Sequence, residues 1–200
     1  GGSEVVSVVA GEGVVRHTYR DINQRAKQLA QALQSAGIGM TDRVATLAWN
    51  DHRRLEAYYG VSGMGAVVHT INPRLFPEQL IYIINHAEDR ILLTDPMFLP
   101  LIEKIIDNCP KLEKIVAMCT AENLPESSLD IIAYEDFIGG FDGNYAWPEF
   151  EETAASSLCY TSGTTGNPKG ALYTHRSTVL HALMAGTPAV TGTGSNATLM

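Results

Sequence analysis

Cysteine is scarce in this chain of 200 residues. The three present, Cys109, Cys119 and Cys159, are odd in number and share no metal or redox spacing. They read as reduced, buried cysteines of a cytoplasmic protein. Basic charge is also in short supply. Lys and Arg number 14 against 22 Asp and Glu, a net charge of −8, so nothing is there to neutralise a nucleic-acid backbone. A small anion can still bind through a local loop. No apolar run approaches the ~18 residues that a membrane span requires, so no transmembrane segment is expected. The opening "GGSEVVSVVAGEG" has neither a basic region nor a long apolar core, and so does not read as a signal peptide. Repeats and low-complexity segments are missing too.

Apolar residues are not in short supply. They make up 45% of the chain, against 18% charged, enough for a packed core and too many for a disordered chain. The apolar pattern alternates between two periods. Ile22, Ala26, Leu29, Ala30, Leu33 and Ala36 recur at helical spacing over residues 18–36, with Thr18 as N-cap, Asp21 three residues on and Gly37 as the stop. Residues 43–49 predict a strand, 51–64 a helix with Leu55, Tyr58, Tyr59 and Val61 on its apolar side, and 66–71 a β-branched strand. A helix opened by Pro77 follows, then a strand at 90–95, a helix at 98–108, a strand at 114–119 and a polar loop at 120–128. The Gly- and Pro-rich stretch 139–153 reads as a surface crossing. Repeated strand–helix–strand units predict an α/β fold, a mostly parallel sheet with helices on both faces. Trp49, Tyr58 and Tyr59 are expected in the core, and His69 as a structural histidine within its strand.

The stretch "YTSGTTGNPKGALYTH" lies between two short predicted strands, 156–160 and 171–175, with a helix from Arg176 carrying Val179, Leu180 and Leu183 on one side. Gly163, Gly166 and Gly170 allow positive φ and close backbone approach to a ligand. Successive N–H groups in such turns form an anion nest. Thr161, Ser162, Thr164 and Thr165 add hydroxyls able to ligate a metal, and Lys169 adds a mobile positive charge. The P-loop pattern places Lys directly after Gly and Ser or Thr directly after Lys. Here Lys169 follows Pro168 and precedes Gly170, so a P-loop NTPase is excluded. Composition alone leaves a plain Gly- and Thr-rich hairpin loop as the alternative.

The order of residues goes further. "LCYTSGTTGNPKGALYTH" resembles the phosphate-loop signature of the adenylate-forming (acyl-CoA synthetase, AMP-binding) superfamily. "HTYRDINQRAKQLAQAL" and "GMGAVVHTINPRL" resemble its upstream motifs, so the likeness spans most of the chain. Within the superfamily, "HTINPRLFPEQLIYIINHAEDR" is most similar to bacterial medium- and long-chain fatty acyl-CoA ligases and to methylthiopropanoate-CoA ligases. The resemblance implies a ligase that joins a fatty acid or short thioether acid to ATP, forming acyl-AMP, and then to coenzyme A. It implies ATP and Mg²⁺ as cofactors, coenzyme A as co-substrate, and no nucleic acid. A homodimer is the candidate assembly.

By the same resemblance, Thr161, Ser162, Gly163, Thr164, Thr165 and Gly166 contact the phosphates and Lys169 supports the loop charge. Thr161 is the candidate Mg²⁺ ligand, the alternative being a strand-end Thr that caps the turn. For Lys169 the alternative is a solvated loop lysine. His175 is expected to shape the start of the next helix rather than to react. No catalytic residue is assigned, because the resemblance puts the catalytic Lys beyond Met200. Residues 1–200 then form part of a large N-terminal adenylation domain. The remainder of that domain and a small C-terminal domain lie outside the chain. The 200 residues alone are expected to be inactive and to expose apolar surface. An aryl-CoA ligase, a peptide-synthetase adenylation domain and a non-catalytic nucleotide-binding module are the competing readings.

Overall fold

The first structured segment is a hairpin that the periodicities above do not predict. In the computed structural model, which describes residues 3–161 and 167–187, β1 (Glu4–Val9) pairs antiparallel with β2 (Gly13–Thr18) as a separate two-stranded sheet. Gly11 and Gly13 hold φ of 81° and 79° in the turn, a region open to glycine at little cost.

Helix α1 (Tyr19–Ser35) starts as the sequence predicts. The Asp21 N–H donates to Thr18 Oγ1 at 3.2 Å, and the Thr18 N–H donates to Asp21 Oδ2 at 2.7 Å. This reciprocal pair satisfies donors that a helix start leaves open. Ile22, Ala26, Leu29, Ala30 and Leu33 are buried. Strand β3 (Arg43–Leu47) leads into α2 (His52–Gly63), whose N-cap Asp51 accepts from the Arg54 N–H at 2.9 Å.

The buried side of α2 corrects the sequence reading. It consists of His52, Arg53, Glu56, Ala57, Gly60 and Val61. Tyr58 and Tyr59 are 39% and 54% exposed and Trp49 is 53% exposed, so these three aromatics are not core. Gly60 sets the register. A Cβ there would stand 2.8 Å from the Ala26 carbonyl oxygen and 3.0 Å from Leu29 Cδ2, so the glycine lets α2 lie close against α1. Arg53 and Glu56 turn inward because they find partners there, which periodicity cannot show.

The remaining elements are β4 (Val67–Thr70), α3 (Pro77–Ala87), β5 (Asp89–Thr94), α4 (Leu99–Ile105) between two 3₁₀ turns, β6 (Lys114–Ala117), β7 (Ile131–Ala133), α5 (Tyr134–Gly139), β8 (Ala155–Thr161), β9 (Lys169–Thr174) and α6 (His175–Ala185). Strand β7 and helix α5 are too short to carry a periodic signal. Residues 140–150 cross without regular structure, as predicted.

The main sheet runs β7-β6-β5-β3-β4-β8-β9, parallel except for β9 against β8. One core packs α1, α2 and α5 on Val44, Val68, Leu93 and Val116. The other packs α3 and α4 on Ala45, Leu47, Leu92 and Ile115. Helices therefore cover both faces, as parallel pairing requires. Among the described residues no helix is long and apolar enough to cross a membrane.

Candidate functional site

Parallel strands send their following loops to one edge of a sheet. Strands β3, β4, β5 and β8 do so here, and such carboxyl edges are where α/β sheets bind ligands. Thr161 ends β8 and Lys169 opens β9, and the two are register partners. Both are exposed. The Thr161 hydroxyl reaches the Lys169 carbonyl only at 3.5 Å, too long a contact to hold it. The structure thus brings together two of the expected phosphate-binding residues at the mouth of one hairpin. Ser162, Gly163, Thr164, Thr165 and Gly166 lie outside the described residues.

The hairpin is held from below. Ser156 is buried in β8, and its carbonyl accepts from Ser62 Oγ of α2 at 2.9 Å. Ser156 Oγ donates to the Tyr173 carbonyl of β9 at 3.2 Å. Tyr160 reaches α3, where its phenol oxygen lies 2.6 Å from His86 Nδ1. Burial pushes the phenol up to about 12, so it keeps its proton.

His69 is fully buried, with Nδ1 2.7 Å from Oδ2 of the equally buried Asp89. Burial raises the Asp89 carboxyl, and its hydrogen bond to His69 works against that rise. This is the structural histidine that the sequence suggests. His175 stands at the opposite end of the hairpin from Thr161. Ala155 pairs with Thr174 while Thr161 pairs with Lys169, and six residues at ~3.3 Å each separate the ends by about 20 Å. Its ring packs on Phe150 at 4.6 Å, and burial lowers its pKa. It opens α6, whose cap is Thr174 accepting from the Ser177 N–H at 3.1 Å.

Two further groups were not found from the sequence. The first lies at the same carboxyl edge, beyond β3 and β5, where the strand order reverses direction. The Trp49 N–H donates to Asp95 Oδ2 at 2.6 Å, and Trp49 Nε1 lies 2.9 Å from Met97 Sδ. Burial, with Asp51 adding repulsion, pushes the Asp95 carboxyl up to about 6. A crevice of about 390 Å³ opens between these residues and the β1 turn. The signal for it was position, since Trp49 and Asp95 are the last residues of two predicted strands.

The second is a buried ion cluster. Arg25 bonds Glu56 at 2.7 Å and Glu135 at 2.9 and 3.0 Å. Arg53 bonds Glu135 at 2.8 Å and Glu12 at 2.9 Å, and the Tyr134 hydroxyl donates to Glu56 at 2.9 Å. Burial pushes the Glu56 carboxyl up to about 7. The cluster joins α1, α2, α5 and the β1–β2 turn. No group of three or more His, Cys, Asp or Glu able to hold a metal occurs among the described residues.

The fold and site define an α/β domain with a mostly parallel sheet and a hydroxyl- and lysine-bearing hairpin at its carboxyl edge, the edge where such sheets bind ligands. The family model for AMP-binding enzymes matches residues 3–197, and the chain belongs to that family. It is 53% identical to a medium-chain fatty acid–CoA ligase of Ectopseudomonas oleovorans, over 94% of this chain and 35% of that protein. It is 50% identical to a 3-methylmercaptopropionyl-CoA ligase of Ruegeria pomeroyi, again over 94% of this chain and 35% of that protein. Among solved structures, an anthranilate CoA ligase in complex with anthranoyl-AMP superposes with a TM-score of 0.79 at 30% identity, covering 84% of this chain and 32% of that one. The chain therefore spans about a third of the length of the curated relatives it matches.

Proposed function

We propose that the whole protein is an AMP-forming acyl-CoA ligase acting on a fatty acid or a short thioether acid, and that this chain is the N-terminal portion of its adenylation domain. The observation that carries the reading is the pairing of Thr161 with Lys169, both exposed, at the mouth of the β8–β9 hairpin. The ligase activities of the relatives at 53% and 50% identity support it.

In the first half-reaction a carboxylate oxygen attacks the α-phosphorus of ATP. The bond from that phosphorus to the bridging oxygen breaks, and pyrophosphate leaves with the electron pair. In the second, the sulfur of coenzyme A attacks the acyl carbon, its proton passes to solvent, and AMP leaves. Two anions must approach each other in the first step, so charge screening and positioning dominate. Lys169 supplies a positive charge beside the β- and γ-phosphates. Ser162, Gly163, Thr164, Thr165 and Gly166 are proposed to wrap those phosphates with hydroxyl and N–H donors. The Thr161 hydroxyl, not held by its 3.5 Å contact, suits a cation that arrives with the nucleotide. Mg²⁺, when bound there, would neutralise charge on the departing pyrophosphate. We place the enzyme in the cytoplasm on its cysteine usage.

Exchange of labelled pyrophosphate into ATP by the full-length protein, without coenzyme A, tests the first half-reaction. The expected result is exchange that requires a carboxylic acid. Acid-independent exchange, or none with any acid tried, contradicts the reading.

A further inference from the structure

Tyr160 directly precedes Thr161, and the functional reading gives it no part. Its side chain nevertheless touches three other elements. Across the hairpin its register partner is Gly170 of β9. A Cβ on Gly170 would stand 3.3 Å from Tyr160 Cζ and 3.2 Å from Leu158 Cδ1, so the glycine makes room for two β8 side chains lying across β9. From β4, the buried His69 ring faces Tyr160 at 5.2 Å between centroids. From α3, the His86 ring meets it edge-on, with Nδ1 2.6 Å from the phenol oxygen. Tyr82, one helical turn back, stacks on His86 at 5.3 Å with an interplanar angle of 27°, which restrains the imidazole.

One phenol thus ties the two strands that bracket the phosphate loop to a helix 74 residues earlier in the chain. The tie sits one residue from Thr161 and one register pair from Lys169. Small displacements of groups that must meet a reacting phosphate are costly.

We propose that the Tyr160–His86 hydrogen bond is a positioning device for the phosphate loop, holding Thr161 and Lys169 in place without touching the nucleotide. It rests on the functional reading above. Tyr160 and His86 are positioning residues, not catalytic ones.

The test uses the full-length protein with His86→Ala, Tyr160→Phe, the double variant and His86→Asn, whose amide sits where Nδ1 does. One hydrogen bond is worth about fivefold. His86→Ala and Tyr160→Phe should each raise KM for ATP about that much, and the double variant no further, because both remove the same bond. His86→Asn should restore KM. Thioester formation from preformed acyl-AMP should not change in any of them. A second readout is independent of the reaction: tryptic cleavage after Lys169 should speed up about fivefold in the first three variants and not in His86→Asn. Equal losses in both half-reactions, additive single effects or an unchanged cleavage rate overturn the clamp. An unsubstituted protein without acid-dependent pyrophosphate exchange overturns the functional reading instead, and the cleavage rates then decide the clamp alone.

Discussion

Lys169 carries the sharpest chemical assignment. Replacing it with Ala should slow acyl-AMP formation by ~100-fold, the scale for losing one electrostatic contact to a developing charge. Thioester formation from preformed acyl-AMP should be nearly unaffected, and equal losses in the two half-reactions would refute the assignment. Asp95 yields a pH prediction. Burial pushes its folded pKa up to about 6, above the ordinary aspartate value of 3.8, so the folded state holds its proton more tightly than the unfolded state. That stabilising contribution is fully present below about pH 4 and is lost as pH rises through about 6. Asp95→Asn should therefore gain stability relative to the unsubstituted protein between pH 4 and pH 7, measured as the difference in urea midpoint. A constant difference across that range would contradict the shift. At this scale the sequence proposes Thr161 and Lys169, because their identity and order sit in one contiguous stretch. It did not reveal His86 with Tyr160, or Arg53 with Glu12 and Glu135, because only the folded sheet brings those pairs together.

The elements show where periodicity works and where it fails. Helix α1 was legible to within a residue at its start, since the capping box and the apolar stripe of Ile22, Ala26, Leu29 and Leu33 agree. Helix α2 was placed correctly but turned wrongly. Its apolar residues Tyr58 and Tyr59 face outward, while Arg53 is buried on Glu12 and Glu135 and Glu56 on Arg25 and Tyr134. The decisive residue is Gly60, whose missing side chain lets the helices meet. Gly60→Ala should cost about 1–3 kcal/mol, because the added methyl would meet the Ala26 carbonyl. Chemical denaturation measures this, and a neutral or stabilising result would show that the α1–α2 contact has slack. The β1–β2 hairpin, β7 and α5 escaped notice because they are short and, in the hairpin, largely exposed.

In the whole molecule the ion cluster joins parts far apart in sequence. Arg53 connects α2 to the β1–β2 turn through Glu12 and to α5 through Glu135. Arg53→Ala should cost about 3 kcal/mol, the low end for breaking a buried pair, and should loosen the N-terminal hairpin first. Hydrogen exchange across β1 and β2 reads this, and protection equal to that of the unsubstituted protein would contradict it. The main sheet presents Thr161 and Lys169 as register partners at its carboxyl edge, so the proposed chemistry meets the fold at β8. The most direct measurement is product analysis of the full-length protein given ATP, coenzyme A and carboxylic acids of increasing chain length. The account predicts AMP, pyrophosphate and an acyl-CoA in equal amounts, with a medium or long fatty acid or a thioether acid preferred. ADP and phosphate as products, or AMP without any acyl-CoA, would contradict it.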